Sequence, residues 1–268
     1  MKTVTYSTCW YQFKAKFDKN TYEKWIDNML TNVNNYNLVI YTNKDGYELL
    51  KKYIQPNIKI VIKEHTDFYT YKYSDYWIKN HEKNYLLKDK VDWYVNMLWS
   101  EKINFVKETY EHKYFDTEYY GWCDIGYFRN RYNDSQKKDL IDWPKNEKIL
   151  SLDKNKIHYA LINNNQSYIT YLYEVIKNKN RKGLPIKEIP PGQYSIAGGF
   201  FTLHKSKIHW WHKTYYDRLL LYFENDYLVK DDQILLIDCA FTYPGSFQLY
   251  RENFQYFDNW FMFQRIFS

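Results

Sequence analysis

Apolar positions change period several times along the chain, and the changes outline alternating strands and helices. Residues 2–9 put Val4 and Tyr6 on one face and predict a first strand. From Thr21 to Val33 the spacing is helical, with Tyr22, Trp25, Ile26, Met29 and Val33 on one stripe and Asn20 or Thr21 as cap. Residues 37–41, NLVIY, form the short apolar run expected of a strand buried on both faces. The turn NKDG at 43–46 leads into a helix over Tyr47–Tyr53, and Ile58–Ile62 reads as a third strand. This β-α-β-α-β opening predicts a parallel sheet built from right-handed crossovers.

Further on, Trp77–Tyr110 is helical in more than one piece, with Trp93, Met97, Ile103 and Val106 among its apolar positions. Tyr119–Asp124 predicts a strand, and Ile149–Leu152 and Tyr159–Ile162 predict two shorter ones. Asn165–Lys177 is helical, and Ser195–Leu203 is an apolar strand interrupted by Gly198 and Gly199. Helices follow over Ile208–Asn225 and Asp231–Ala240, and the segment from Tyr243 to Ser268 is aromatic and irregular. No repeat or linker divides residues 1–268, so the expectation is a single α/β, Rossmann-like domain with a central, mainly parallel sheet flanked by helices.

Composition adds little to this picture until it is read by position. Ten Trp, 31 Tyr and 16 Phe make 21% of the chain aromatic, which suits sugar-stacking clefts and also follows from an AT-rich coding sequence. The net charge of +6 is spread along the chain, so no basic stripe marks a specific nucleic-acid partner. Its densest run, Lys177, Lys179, Arg181 and Lys182, reads as a solvated loop or as a phosphate contact. Cys9, Cys123 and Cys239 are odd in number and far apart, so neither a disulfide framework nor a zinc motif is suggested, and they read as buried thiols in a reducing, cytoplasmic setting. No apolar stretch nears the roughly 20 residues of a membrane span, so no transmembrane segment is expected.

Three segments carry candidate chemistry. In YYGWCDIGYFRNR, residues 119–131, an apolar strand runs into Asp124, then Gly126, then Arg129 and Arg131. Ligand crevices of open α/β sheets lie beyond the carboxyl ends of strands, so Asp124 is placed either to meet a ligand or to cap a turn. A divalent ion on a nucleotide diphosphate needs only one or two protein carboxylates, Gly126 permits close backbone approach, and Arg129 or Arg131 either offsets phosphate charge or pairs with surface acids. In PPGQYSIAGGFFT, residues 190–202, the glycine pair marks either close passage of a sugar or a bulge. In KDDQILLI, residues 230–237, Asp231 caps a helix or, with Asp232 and Gln233, holds sugar hydroxyls or supplies a general base. No dinucleotide fingerprint, P-loop, nucleophile elbow or HExxH competes, and His204, His209 and His212 beside Trp210 and Trp211 read as packing or solvent residues.

Taken in order, WSEK (Trp99–Lys102), YGWCDIGYFR (Tyr120–Arg129), AGGFF (Ala197–Phe201) and DDQ (Asp231–Gln233) resemble the HtrL/YibB family, a group similar to GT-A-type glycosyltransferases with members in bacteria and large DNA viruses. The resemblance implies a nucleotide-sugar pocket at one edge of the sheet. Asp124 would match the first acid of the DxD signature, with Gly126 where the second would stand, and would bind Mn2+ or Mg2+. Lys102 would reach the diphosphate, Arg129 would assist it, and Gly198 and Gly199 would floor the sugar pocket. Asp231 or Asp232 would face the reacting sugar or acceptor, with Asp232 on the acceptor side and Gln233 on the donor, and Thr5 and Tyr6 would lie by the base. The function expected is glycosyl transfer from a nucleotide-sugar donor to a glycan, lipid or protein acceptor. The alternative is a non-catalytic carbohydrate-binding or scaffold protein that keeps the fold.

Overall fold

The computed structural model describes residues 2–14, 17–253 and 255–268. In chain order its regular elements are β1 (Val4–Trp10), α1 (Lys19–Leu30), β2 (Asn37–Thr42), α2 (Lys44–Leu50), β3 (Ile58–Ile62), α3 (Ser74–Lys83), α4 (Trp93–Glu111) and β4 (Tyr119–Cys123). There follow α5 (Asn146–Leu150), β5 (Ile157–Ala160), α6 (Gln166–Lys177), β6 (Phe200–His204), α7 (Ile208–Glu224), α8 (Asp232–Thr242), β7 (Phe247–Tyr250) and α9 (Phe263–Ile266). The strands form one seven-stranded sheet in the order β3-β2-β1-β4-β6-β5-β7. β6 runs antiparallel to β4 and β5, and every other pairing is parallel. The α/β class and the mainly parallel sheet are therefore as the hydrophobic pattern predicts.

Alternation along the central strands assigns each side chain to one of two cores. Val39 and Tyr41 of β2, with Trp122 of β4 and Phe201 of β6, pack against α4, α6, α7 and α8. Leu38 and Ile40 pack on the other face with α1, α2 and the C-terminal turn around Phe263. All six residues of β2 are buried, which is why NLVIY shows no polar alternation.

Local chemistry sets the element ends. The first helix begins at Lys19, ahead of the predicted Thr21, because the Asp18 carboxylate accepts the Thr21 amide at 2.9 Å. Asn43 caps α2 through the Gly46 amide, so that helix opens inside the predicted turn. The expected strand at 149–152 is instead the end of α5: Ile149 and Leu152 are buried three apart while Leu150 is exposed, a helical spacing. The glycine pair stands just before β6 rather than inside it, and β7 arises within the segment read as irregular.

The chain passes from β1 to β2 and β3 on one side, then returns to β4 on the other. The sheet thus reverses direction of travel between β1 and β4. Crevices at the carboxyl ends of strands at such a switch point are where open α/β sheets bind ligands. Both strands end here on residues that line a cleft.

Candidate functional site

The cleft has two arms. One, about 250 Å3, is bounded by the end of β1 and the face of α4, with Trp10, Tyr11, Phe13, Tyr22 and Trp99 in its wall. The other, about 360 Å3, is walled by Gly198, Gly199, Asp231, Asp232, Gln233 and Trp260. Lys102, Asp124, Gly126 and Arg129 line both. Phe17, Tyr22 and Trp99 are shared as well, so the two arms meet at a waist that is charged on one side and aromatic on the other.

Lys102 is the centre of the waist. Its Nζ donates to the Gly198 carbonyl at 2.9 Å and lies 3.1 Å from Asp232 Oδ2 and 3.4 Å from Asp124 Oδ1. Burial works against the ammonium, but Asp124 and Asp232 outweigh it and hold Lys102 above the usual lysine range. The helical stretch WSEK distributes its four side chains to different tasks. Trp99 faces the cleft. Ser100 accepts the Tyr215 hydroxyl, and Glu101 accepts the Tyr69 and Thr70 amides. Lys102 alone of the four reaches the carboxylates.

Asp124 follows the last residue of β4. Its amide donates to Gly199 O at 2.8 Å, which continues the ladder one residue past the strand. Its Oδ1 accepts the Trp122 indole N–H at 2.5 Å, and its side chain is 42% exposed. Asp232 is the first residue of α8, near the positive end of the helix dipole, and its side chain is only 8% exposed. Burial raises its carboxyl to about 6, with Lys102 opposing and Asp231 and Asp124 adding to the rise.

The glycine pair now has a physical reason. A Cβ on Gly198 would stand 2.7 Å from Asp232 Oδ2, and one on Gly199 would stand 3.1 Å from Asp124 Oδ2. Neither glycine has a positive φ, so it is space and not backbone freedom that the pair supplies. Gly126 is similar: a Cβ there would meet the Trp25 ring at 2.9 Å.

Arg129 packs among Trp25, Phe261 and Phe17, its guanidinium 4.2, 4.9 and 5.3 Å from their ring centres. Burial and nearby Arg131 hold it below the usual arginine range. Its Nε donates to Gly126 O, and among the described residues no carboxylate forms an ion pair with it. Arg131, by contrast, is spent on Asp134 and Asp258. Asp231 stands at the N-cap position but caps nothing through its side chain. Lys230 pairs with its Oδ2 at 2.6 Å, and Oδ1 is buried with no partner. A buried oxygen in that condition is costly unless a donor arrives.

The structure therefore brings together Lys102, Asp124, Gly126, Arg129, Gly198, Gly199, Asp231, Asp232 and Gln233. It does not bring Thr5 and Tyr6 to the cleft. Thr5 is bonded to Thr117, and the Tyr6 ring is packed under Trp143 and Phe200. The strand end that meets the cleft is Cys9, Trp10 and Tyr11, three or more residues and so roughly 10 Å further along. Cys9 itself is half-buried in that wall, not fully enclosed as expected, and burial with Asp124 nearby pushes its thiol upward. Sequence reasoning missed the aromatic arm: Tyr22 lay on a stripe read as core, and Trp99 sat in a motif read for its lysine. The histidines stay apart: His204 contacts Glu118, and His212 bonds Asn104.

The donor set at the waist suits an ammonium better than a divalent cation. Gly126 replaces the second acid, and Lys102 already engages both Asp124 and Asp232. Among the described residues no three His, Cys, Asp or Glu side chains group as a metal centre. Likewise, no described helix is long and apolar enough to cross a membrane. No protein-family model matches this sequence, and no curated protein matches it.

Proposed function

We propose that this chain is a glycosyltransferase acting on a nucleotide-sugar, with the nucleoside in the aromatic arm and the sugar in the acidic arm. The observation that carries the reading is the waist: two carboxylates, one shared ammonium and one ring-packed guanidinium meet at the ends of β1 and β4. A nucleotide-sugar has the same order of parts, a flat base, a dianionic diphosphate and a polyhydroxylated ring. Arg129, which forms no ion pair of its own among the described residues, supplies a cation for the diphosphate. Gln233, in the wall of the acidic arm, offers an acceptor and donors for sugar hydroxyls.

In this reading, transfer breaks the bond between the anomeric carbon and the diphosphate oxygen, and an acceptor hydroxyl forms the new bond and loses its proton. Preorganised charge next to the departing oxygen is the largest contribution such a site can make. Asp232, raised to about 6, sits close enough to neutrality to take the acceptor proton. Asp124 is the residue that would hold a divalent cation, and such an ion would supply charge to the diphosphate.

Thermal stabilisation by a panel of nucleotide-sugars, set beside the matching free glycans, tests the proposal. A rise in melting temperature with one or more nucleotide-sugars supports it. A rise with free glycans alone would instead mark a carbohydrate-binding protein that keeps the fold.

A further inference from the structure

We infer that the Lys102 ammonium stands in this cleft where a divalent cation would otherwise lie, so that nucleoside diphosphate binding does not need a metal. The inference rests on the nucleotide-sugar reading above. Lys102 Nζ is already placed between the two acids that flank the waist, 3.4 Å from Asp124 Oδ1 and 3.1 Å from Asp232 Oδ2. Its third partner is the Gly198 carbonyl at 2.9 Å, which fixes the ammonium from the strand side. The two glycines leave room for this arrangement, since a Cβ at either would press on one of the acids.

Charge decides between the ammonium and a metal. Mg2+ and Mn2+ bind where carboxylate oxygens are free and converge. Here the converging oxygens already face a cation, and a doubly charged ion beside them would also repel the ammonium at close range. The diphosphate has a simpler route. The 3.4 Å contact to Asp124 is the longest of the three that Lys102 makes, so a phosphate oxygen can replace it while the other two remain. Arg129, which lines the same cleft, then adds the second positive charge.

Calorimetric titration of UDP, GDP and ADP into the full chain, once in excess EDTA and once in excess MnCl2, tests this. The account predicts that the diphosphate that binds does so with dissociation constants within about threefold of each other in the two buffers. Lys102→Met should weaken binding by at least about tenfold in EDTA, and MnCl2 should recover part of the loss because both acids are then free. Lys102→Arg, which keeps a cation there, checks that a loss in Lys102→Met is not a folding defect, and should bind measurably in EDTA. Binding by the wild-type chain only in MnCl2 overturns the inference and leaves the nucleotide-sugar reading intact. Binding in neither buffer overturns that reading, and this inference with it.

Discussion

Helix α8 carries two buried acids six residues apart, and their surroundings differ in a way that separates structure from chemistry. Asp238 is enclosed on every side by its own chain. Lys179 and Thr242 engage Oδ1 at 3.1 and 2.9 Å, and Tyr222 donates to Oδ2 at 2.8 Å with Arg218 at 3.6 Å. Asp232 has one strong partner, Lys102, and its other neighbours are acids and a cleft. A carboxylate saturated from within holds helices together. One balanced by a single shared ammonium at a cleft wall is left able to change partner or protonation state.

Breaking the saturated acid should have the largest effect. Asp238→Ala leaves the buried Arg218 and the half-buried Lys179 without their counter-ion, and chemical denaturation should show a loss of about 3 kcal/mol. A loss under about 1 kcal/mol would mean that the network adds little and would erase the contrast. The proposed nucleotide-sugar binding should be unchanged in the remaining folded protein, because Asp238 lines neither arm.

The second effect is a pH dependence. Asp232 rises from an ordinary 3.8 to about 6 in the folded chain. The folded state therefore holds a proton that the unfolded state has lost. Stability from this group is full below 3.8 and is lost as pH rises through about 6. Glu101, raised by burial to about 7, acts in an overlapping window but is common to both proteins compared. Asp232→Asn should flatten the fall in stability across that interval, read as melting temperature against pH. An unchanged slope would show that Asp232 does not titrate there.

The glycines give the smallest and sharpest comparison. Gly198→Ala brings a methyl to 2.7 Å of the buried Asp232 and should cost about 1–3 kcal/mol. Gly199→Ala meets the more exposed Asp124 at 3.1 Å, and that side chain can turn outward, so the cost should stay below about 1 kcal/mol. Equal losses in the two variants would remove the distinction between the buried acid and the exposed one.

Much of the sheet could be read from local pattern because its first strands are short apolar runs between capped helices. Asp124 could be read because a carboxylate directly after YYGWC has nowhere to go but the strand's end. What escaped the sequence depended on distant parts of the chain. Lys179 lay in a basic run read as solvated loop or phosphate contact, and it is the partner of Asp238, 59 residues on. Asp231 reads either as a helix cap or as a site acid, and its side chain caps nothing but pairs with Lys230 and leaves an oxygen unmet. Thr5 and Tyr6 belong to the right strand but to its buried beginning, and only the carboxyl end of a strand reaches the crevice. β7 was hidden because four edge residues are too few to show a period.

The most direct test of the proposed function is the release of nucleotide from uridine, guanosine and adenosine diphosphate sugars by the wild-type chain and by Lys102→Met, assayed in EDTA. The account predicts release by the wild type from at least one donor and a fall of about 100-fold or more in the variant. Equal turnover by the two proteins would contradict it.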